Sequence, residues 1–165
     1  MFLLSAIARA NGIHLATVHA IETSNPHAAI PLIRSYGDLV VTALYVRDHP
    51  NYVDALTDRR PATRVKRRSI GALITAVTRY APGIKHVYDE LSEGTHFGSV
   101  AMWASWTHKP DTEGIVTYAS YPRWRDPERD PLVIAGWLIE LGEALADTVE
   151  STVAHYLEPD DEHSR

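Results

Sequence analysis

The residues best suited to chemistry lie in one stretch, 87–99, where polar side chains stand between two apolar runs. It holds Glu93 and His96, and Gly94 and Gly98 beside them loosen the backbone, so that both side chains can turn inward. A carboxylate close to an imidazole is the usual equipment of acid–base chemistry. The stretch therefore predicts a polar site, and the alternative is that His96 only caps the end of a helix.

A cation for this site is available on an earlier predicted helix. Arg34 and Asp38 stand four residues apart, which brings them into reach on adjacent turns. Their neighbours are apolar, and a partly buried guanidinium needs further acceptors, for which we predict Glu93. The predicted catalytic residues are therefore Arg34, Asp38, Glu93 and His96.

A second candidate site is the basic block, residues 59–68. It holds six of the 16 basic residues and none of the 21 acidic ones, so the rest of the chain has a formal net charge of −11. Such a block can hold phosphate groups, and its candidate nucleic-acid-binding residues are Arg59, Arg60, Arg64, Lys66, Arg67 and Arg68. The alternative is a solvated linker that balances the acidic remainder.

Composition limits the possible classes of protein. The 165 residues, 45% of them hydrophobic, fit a single domain over 1–158, followed by a polar tail at 159–165. The absence of cysteine excludes disulfides and thiolate metal sites. We see no apolar run long enough to span a bilayer, and the start of the chain lacks a basic region before its apolar residues. These features predict a cytoplasmic protein.

Apolar residues at spacings of three and four predict the helices that must position these sites. The predicted class is mainly α, a bundle of four to five helices with a small β-hairpin insertion. The helices are expected near 2–21, 25–48, 70–80, 84–91 and 131–157, with a short one at 52–56. In the first, the inward side chains are expected to be Leu3, Ile7, Ala10, His14, Val18 and Ile21. The expected inward residues of the second helix are Ile30, Ile33, Gly37, Val40, Val41 and Leu44, and those of the last are Ile134, Trp137, Leu138, Leu141, Leu145, Val149, Val153 and Tyr156. Asn25 before Pro26 and Ser69 before Ile70 are predicted to cap the second and third helices.

The hairpin is predicted from two runs rich in Val, Thr, Trp and Tyr, at 100–106 and 115–121, which a turn-forming segment separates. The aromatic side chains here are Trp103, Trp106, Tyr118, Tyr121 and Trp124. Two interpretations stay open. The rings stack on bases with help from nearby arginines, or they cover an edge of the core or a subunit contact.

No motif indicates a cofactor. The chain has neither a phosphate-binding glycine loop nor a nucleophile elbow, and only one Glu-x-x-His unit, where a di-iron bundle needs two. We therefore predict no cofactor and no bound metal. A mononuclear metal site that uses His14, His19 and His96 is a minor alternative, because no His-x-x-x-His spacing occurs.

The helix with Arg34 and Asp38, followed by Tyr88-x-x-Leu91-Ser92-Glu93-x-x-His96, resembles a bacterial branch of the HEPN-like helical domains over about residues 28–100. The resemblance implies a helical bundle, a homodimer and a metal-independent ribonuclease of a toxin–antitoxin or phage-defence system. The mark of these nucleases is an arginine and a later histidine with four to six residues between them, and here the corresponding positions before His96 hold Asp89, Glu90 and Leu91. The resemblance therefore implies RNA binding or, if Arg34 supplies the cation, RNA cleavage. The alternative is a non-catalytic, homodimeric protein-interaction or regulatory module.

Overall fold

The computed structural model describes residues 1–57, 66–96, 106–108, 116–118 and 121–157. Within them the chain forms six helices: α1 (Phe2–Glu22), α2 (Pro26–Asp48), α3 (Tyr52–Thr57), α4 (Ile70–Val77), α5 (Ile84–Thr95) and α6 (Asp130–Leu157). The prediction of a mainly helical protein is confirmed. The described helices exceed the predicted four to five because the short α3 adds one.

Two three-residue strands, β1 (Trp106–His108) and β2 (Val116–Tyr118), pair antiparallel, with Trp106 opposite Tyr118. The residues that join them, and most of the two predicted runs, lie outside the described residues. The predicted hairpin as a whole therefore stays a prediction.

Helix α2 lies at the centre and packs against α1, α4, α5 and α6. Its N-cap is Asn25, whose side chain accepts a hydrogen bond from the Ala28 N–H at 3.1 Å, and Pro26 needs no donor partner in this first turn. Of its predicted inward residues, Ile33, Gly37, Val40, Val41 and Leu44 are buried, and Ile30 is half-buried. Because α2 is apolar on several sides, four helices can cover it.

The same apolar character overturns one expectation about membranes. Helix α2 is long and apolar enough to cross a bilayer by length and composition, although the sequence was expected to contain no such run. In the structure 56% of its most apolar window is buried by the rest of the protein, and the core helix of a bundle has the same character.

Helix α1 faces the core with a different side from the predicted one. Its buried residues are Ala6, Ala10, Ile13, Thr17 and Ala20. Of the predicted set, Ala10 is buried and Val18 and Ile21 pack against the core, whereas Ile7 is exposed and His14 is only half-buried. The prediction was therefore wrong in part. Large apolar residues lie on both sides of α1, and the buried side consists mostly of small alanines, which allow close packing against α2. The buried Thr17 hydroxyl donates to the carbonyl of Ile13 at 2.8 Å, so it has a partner there.

Helices α4 and α5 differ from prediction at their ends. Ser69 caps α4 as predicted, accepting from the Ala72 N–H at 3.3 Å, but α4 ends at Val77 and turns follow it. Helix α5 was expected to loosen at Gly94, yet it continues to Thr95, and Gly94 is buried. A glycine inside a helix costs only about 1 kcal/mol, which packing of the helix can offset.

Helix α6 follows the predicted pattern in its first four turns and then departs from it. Ile134, Leu138 and Leu141 are buried as expected, but Val153 is 40% exposed, and Thr148 and Thr152 are buried instead. The hydroxyls of both threonines donate to carbonyls on the preceding turn, at 2.6 Å each. Hydrogen-bonded threonines can thus lie in a core where apolarity alone predicts a valine.

Candidate functional site: an arginine–tyrosine cluster and a basic cleft

Arg34 joins α2 to α5. It is half-buried, and its Nη2 donates a hydrogen bond to the Tyr88 hydroxyl at 2.5 Å. The guanidinium carbon also lies 4.9 Å from the centre of the Tyr88 ring, close enough for a cation–π interaction. The acceptor of Arg34 is therefore Tyr88 and not the predicted Glu93. Both residues belong to the interface where the two helices pack.

Asp38 shares this interface electrostatically. Burial raises the pKa of its carboxyl, although the positive charges of Arg34 and Arg9 act in the opposite direction. Within the described part of the chain no ion pair forms between Arg34 and Asp38. Arg34 Nε and Asp38 Oδ1 are both buried without a hydrogen-bond partner there. The cluster is thus desolvated and only partly satisfied, which is costly unless packing offsets it.

Glu93 and His96 lie apart from this cluster, at the exposed C-terminal end of α5. Glu93 follows Tyr88 by five residues, roughly 140° around the helix axis, and so it lies on another side of α5. The His96 backbone N–H donates to the Ser92 carbonyl at 3.0 Å and closes the helix end. Among described residues neither side chain has a hydrogen bond or ion pair with Arg34 or Asp38.

Glu93 lies instead on the rim of a mostly apolar pocket of about 420 Å³ between α2, α5 and α6. Its apolar walls include Leu91, Trp124 and Trp137. Trp124 is only 5% exposed, so this ring belongs to the core, whereas Tyr121 is 71% exposed. For Trp124 the structure agrees with the interpretation that the aromatic residues cover an edge of the core.

The second site is formed by the C-terminal end of the basic block. Arg59, Arg60 and Arg64 lie outside the described residues, and Lys66, Arg67 and Arg68 are all exposed. These three line a cleft of about 650 Å³, which we call the basic cleft. Its other lining residues come from the end of α2 and the start of α3: Tyr45, Asp48, His49, Pro50, Asn51 and Tyr52.

Aromatic rings form the floor of the basic cleft. The Tyr45 and His49 rings are stacked, with centroids 4.1 Å apart and an interplanar angle of 6°. Tyr52 meets Tyr45 edge-on at 4.9 Å. Arg68 completes the group. Its guanidinium carbon lies 5.4 Å from the Tyr45 ring centre, and its backbone N–H donates a hydrogen bond to the Tyr52 hydroxyl at 2.9 Å. Residue 68 is therefore fixed to the helical bundle.

The orientation of His49 follows from a hydrogen bond to its own helix. Its Nδ1 lies 3.1 Å from the carbonyl oxygen of Tyr45. A carbonyl can only accept, so Nδ1 carries the hydrogen, and Nε2 is the acceptor in the neutral ring. The ring is thereby held parallel to Tyr45, with its other face turned away from it.

Among the described residues that line the cleft, one carries a carboxylate, Asp48, and its charge is already compensated. Although burial acts to raise it, the pKa of Asp48 is lowered, because Tyr80, Arg47 and Arg79 hydrogen-bond to its carboxylate. The two arginine contacts are 3.0 Å and 3.1 Å long. The remaining charge of the cleft, from Lys66, Arg67 and Arg68, is positive. The site therefore favours an anion next to an aromatic surface.

The aromatic half of this site was missed from the sequence. Tyr45, His49 and Tyr52 were interpreted only as the end of one helix and the start of another. The signal that could have found them is their spacing of four and then three residues, which places side chains on one side of a helix or of a tight continuation of it. It was obscured by the break at Pro50.

Neither a metal site among the described residues nor a related protein indicates what these two sites bind. Within the described ranges, no group of three or more His, Cys, Asp or Glu side chains is placed to hold a metal ion. Comparisons with protein-family models, with curated proteins and with solved structures give no match to this chain.

Proposed function

We propose that this protein is a HEPN-like helical module that binds RNA without cleaving it. The observation that carries the proposal is the basic cleft, where exposed Lys66 and Arg67 stand beside a stack of aromatic rings. Lysine and arginine side chains bind the phosphate backbone, and aromatic rings bind bases, so the two together suit a nucleic acid. Following the resemblance, we place this activity in a cytoplasmic toxin–antitoxin or phage-defence system of a bacterium or phage.

The positions of the predicted catalytic residues favour RNA binding over RNA cleavage. RNA hydrolysis of the HEPN type needs an arginine and a histidine acting on the same phosphodiester. Arg34 donates to Tyr88 inside a helix interface, and His96 caps the far end of α5. In this proposal the chain is one domain over 1–158, and β1 with β2 forms the two arms of the small hairpin insertion.

A titration of fluorescent single-stranded RNA at several salt concentrations tests the proposal. We expect the double variant Lys66→Ala/Arg67→Ala to bind about tenfold more weakly at ~0.1 M salt, with the slope of log K against log salt reduced by roughly 1.4 for two phosphate contacts. Lys85→Ala/Arg129→Ala is the matched control, since both residues are exposed and lie away from the cleft. Equal losses in the two double variants, or no binding by the parent, refute the proposal. RNA degradation by the parent refutes its non-catalytic part.

A second candidate function, homodimerisation, is favoured by the outer face of α1. Leu4 and Leu15 are 69% and 70% exposed, and Ile7 is 38% exposed, on a helix with only two charged residues, Arg9 and Glu22. Large apolar side chains left in water on a nearly uncharged face are typical of a protein contact. A second copy suits the part of this face that precedes Glu22, because Leu4, Ile7 and Leu15 there have no acidic residue beside them on the helix. We therefore propose that two protomers meet through α1.

Light scattering of two charge variants tests the dimer. Leu15→Glu is expected to give monomers, because it places a carboxylate in the apolar contact. Leu132→Glu is the control, since Leu132 is 72% exposed on α6, an almost identical exposure on another helix. A monomeric parent, or a dimer that survives Leu15→Glu, contradicts the proposal.

A further inference from the structure

The stack in the basic cleft has one open end. Tyr45 is only 4% exposed, because His49 covers its ring and Arg68 lies over it as well. His49, in contrast, is exposed although one face of its ring is covered. Because Tyr45 covers the inner face of the ring, only the outer face and the edge of His49 can meet a ligand. A planar group placed there would continue the stack.

Lys66 and Arg67 line the same cleft as His49, and the residue that follows them is fixed to the helical bundle. Arg68 is tethered to Tyr45 by its side chain and to Tyr52 by its backbone N–H. Lys66 and Arg67 precede this anchor directly, and both are exposed. Their charges are not offset by Asp48, whose carboxylate already binds Arg47 and Arg79. A phosphate of a group stacked on His49 would lie in the same cleft as these two cations.

The dimensions of the cleft select the form of the nucleic acid. Its volume of about 650 Å³ falls within the range of ~300–1,000 Å³ typical of sites for single small ligands. In a duplex both faces of every internal base are covered by its neighbours, so no internal base can stack on His49. Only an unpaired nucleotide offers a free base and an accessible phosphate together.

From this arrangement we infer that the basic cleft holds one unpaired nucleotide of RNA, its base on the outer face of His49 and its phosphate between Lys66 and Arg67. The inference rests on the proposed RNA binding and adds a form of RNA to it. The protein therefore selects single strands, loops or unpaired ends over continuous duplex. Because stacking does not depend on which base is present, the selection is for structure more than for sequence.

The experiment compares two RNAs of about 12 nucleotides, one single-stranded and one a blunt duplex, against the full chain. The single strand carries a fluorescent adenine analogue whose emission falls when it stacks. We expect the parent to bind the single strand about tenfold more tightly than the duplex and to quench the analogue. His49→Ala should lose about tenfold in single-strand affinity and most of the quenching, and His49→Phe should restore both, since a phenyl ring still stacks.

The matched control is His86→Ala, because His86 is exposed on α5 outside the cleft and pairs with Glu90. It should behave as the parent does. RNA binding with equal affinity for single strand and duplex overturns the inference and leaves the proposed function standing. RNA binding that His49→Ala leaves unchanged does the same. No binding to either RNA overturns both. A His49→Phe variant that folds, by circular dichroism, yet fails to quench also overturns the inference.

Discussion

Two arginine–tyrosine contacts in this molecule use the same residue types for different ends. Arg34 lies 4.9 Å from the Tyr88 ring centre and donates to the hydroxyl of the same residue. Arg68 lies 5.4 Å from the ring of Tyr45 and donates through its backbone to Tyr52. The first contact joins two long helices, and the second fixes the end of an exposed segment. The pairing of types does not by itself distinguish a structural cluster from a binding site.

The surroundings make that distinction. Arg34 is half-buried, and its Nε lacks a hydrogen-bond partner among the described residues, as does Asp38 Oδ1 nearby. Arg68 is exposed and opens onto a cleft beside two further cations. A buried charge serves mainly packing and is sensitive to removal, whereas an exposed one costs little to remove and is available to a ligand.

The largest expected effect is on the free energy of unfolding, and it distinguishes the Arg34 contact from the Arg68 contact. Arg34→Met preserves much of the side-chain volume but leaves Asp38 without its nearby cation, and we expect the free energy of unfolding to fall by about 2 kcal/mol. Arg68→Met should cost about 0.5 kcal/mol or less, because its guanidinium is exposed. Urea unfolding of both variants measures the difference. Equal losses would show that the distinction between the contacts is wrong.

The next effect concerns Asp48 in the wall of the basic cleft. Its pKa is lowered by hydrogen bonds from Tyr80, Arg47 and Arg79, so its contribution to stability is present above its ordinary pKa of 3.8 and is lost as pH falls below that value. We expect Asp48→Asn to lower the free energy of unfolding by about 1 kcal/mol at neutral pH. The gap should close in acid below pH 3.8. Unfolding curves across this range that keep a constant gap would exclude the mechanism.

Asp38 should respond with the opposite sign and a smaller amplitude. Burial raises its pKa, so ionising it in the folded protein is unfavourable, and this penalty grows as pH rises from 3.8 through the folded value. The free energy of unfolding of Asp38→Asn, measured relative to the parent, should therefore increase over that interval by a fraction of a kcal/mol. A relative stability that decreases with pH would mean that Arg34 and Arg9 outweigh burial.

The fold was predictable where one local signal dominated. Asn25 and Ser69 cap their helices as predicted, because a side-chain acceptor before an apolar run meets unpaired backbone donors in every helix. Spacing was only partly sufficient on α1, because the buried side includes Ala10 as predicted but leaves Ile7 exposed. Packing against α2, which spacing does not encode, decided between neighbouring sides of the helix.

The candidate sites show the same limit. A sequence indicates that Arg34 needs an acceptor but not which one, because Glu93 and Tyr88 lie within five residues of each other on one helix. The turn of the helix aims Tyr88 at α2 and Glu93 elsewhere. The basic cleft depends on residues 45–52 meeting residues 66–68 across the chain, and no local pattern encodes that approach.

The smallest expected effect is that of removing the His96 side chain, which tests whether this side chain has a role in stability or in RNA binding. The side chain is exposed, and the hydrogen bond that closes α5 comes from its backbone N–H, which alanine retains. His96→Ala should therefore change the free energy of unfolding by less than about 0.5 kcal/mol and leave RNA affinity as it was. The control is His86→Ala, because His86 is an exposed residue on the same helix, α5. If the parent degrades RNA and the equally stable His96→Ala variant does not, the catalytic interpretation is restored. A loss of activity without a loss of stability would mean that the His96 side chain acts on the substrate.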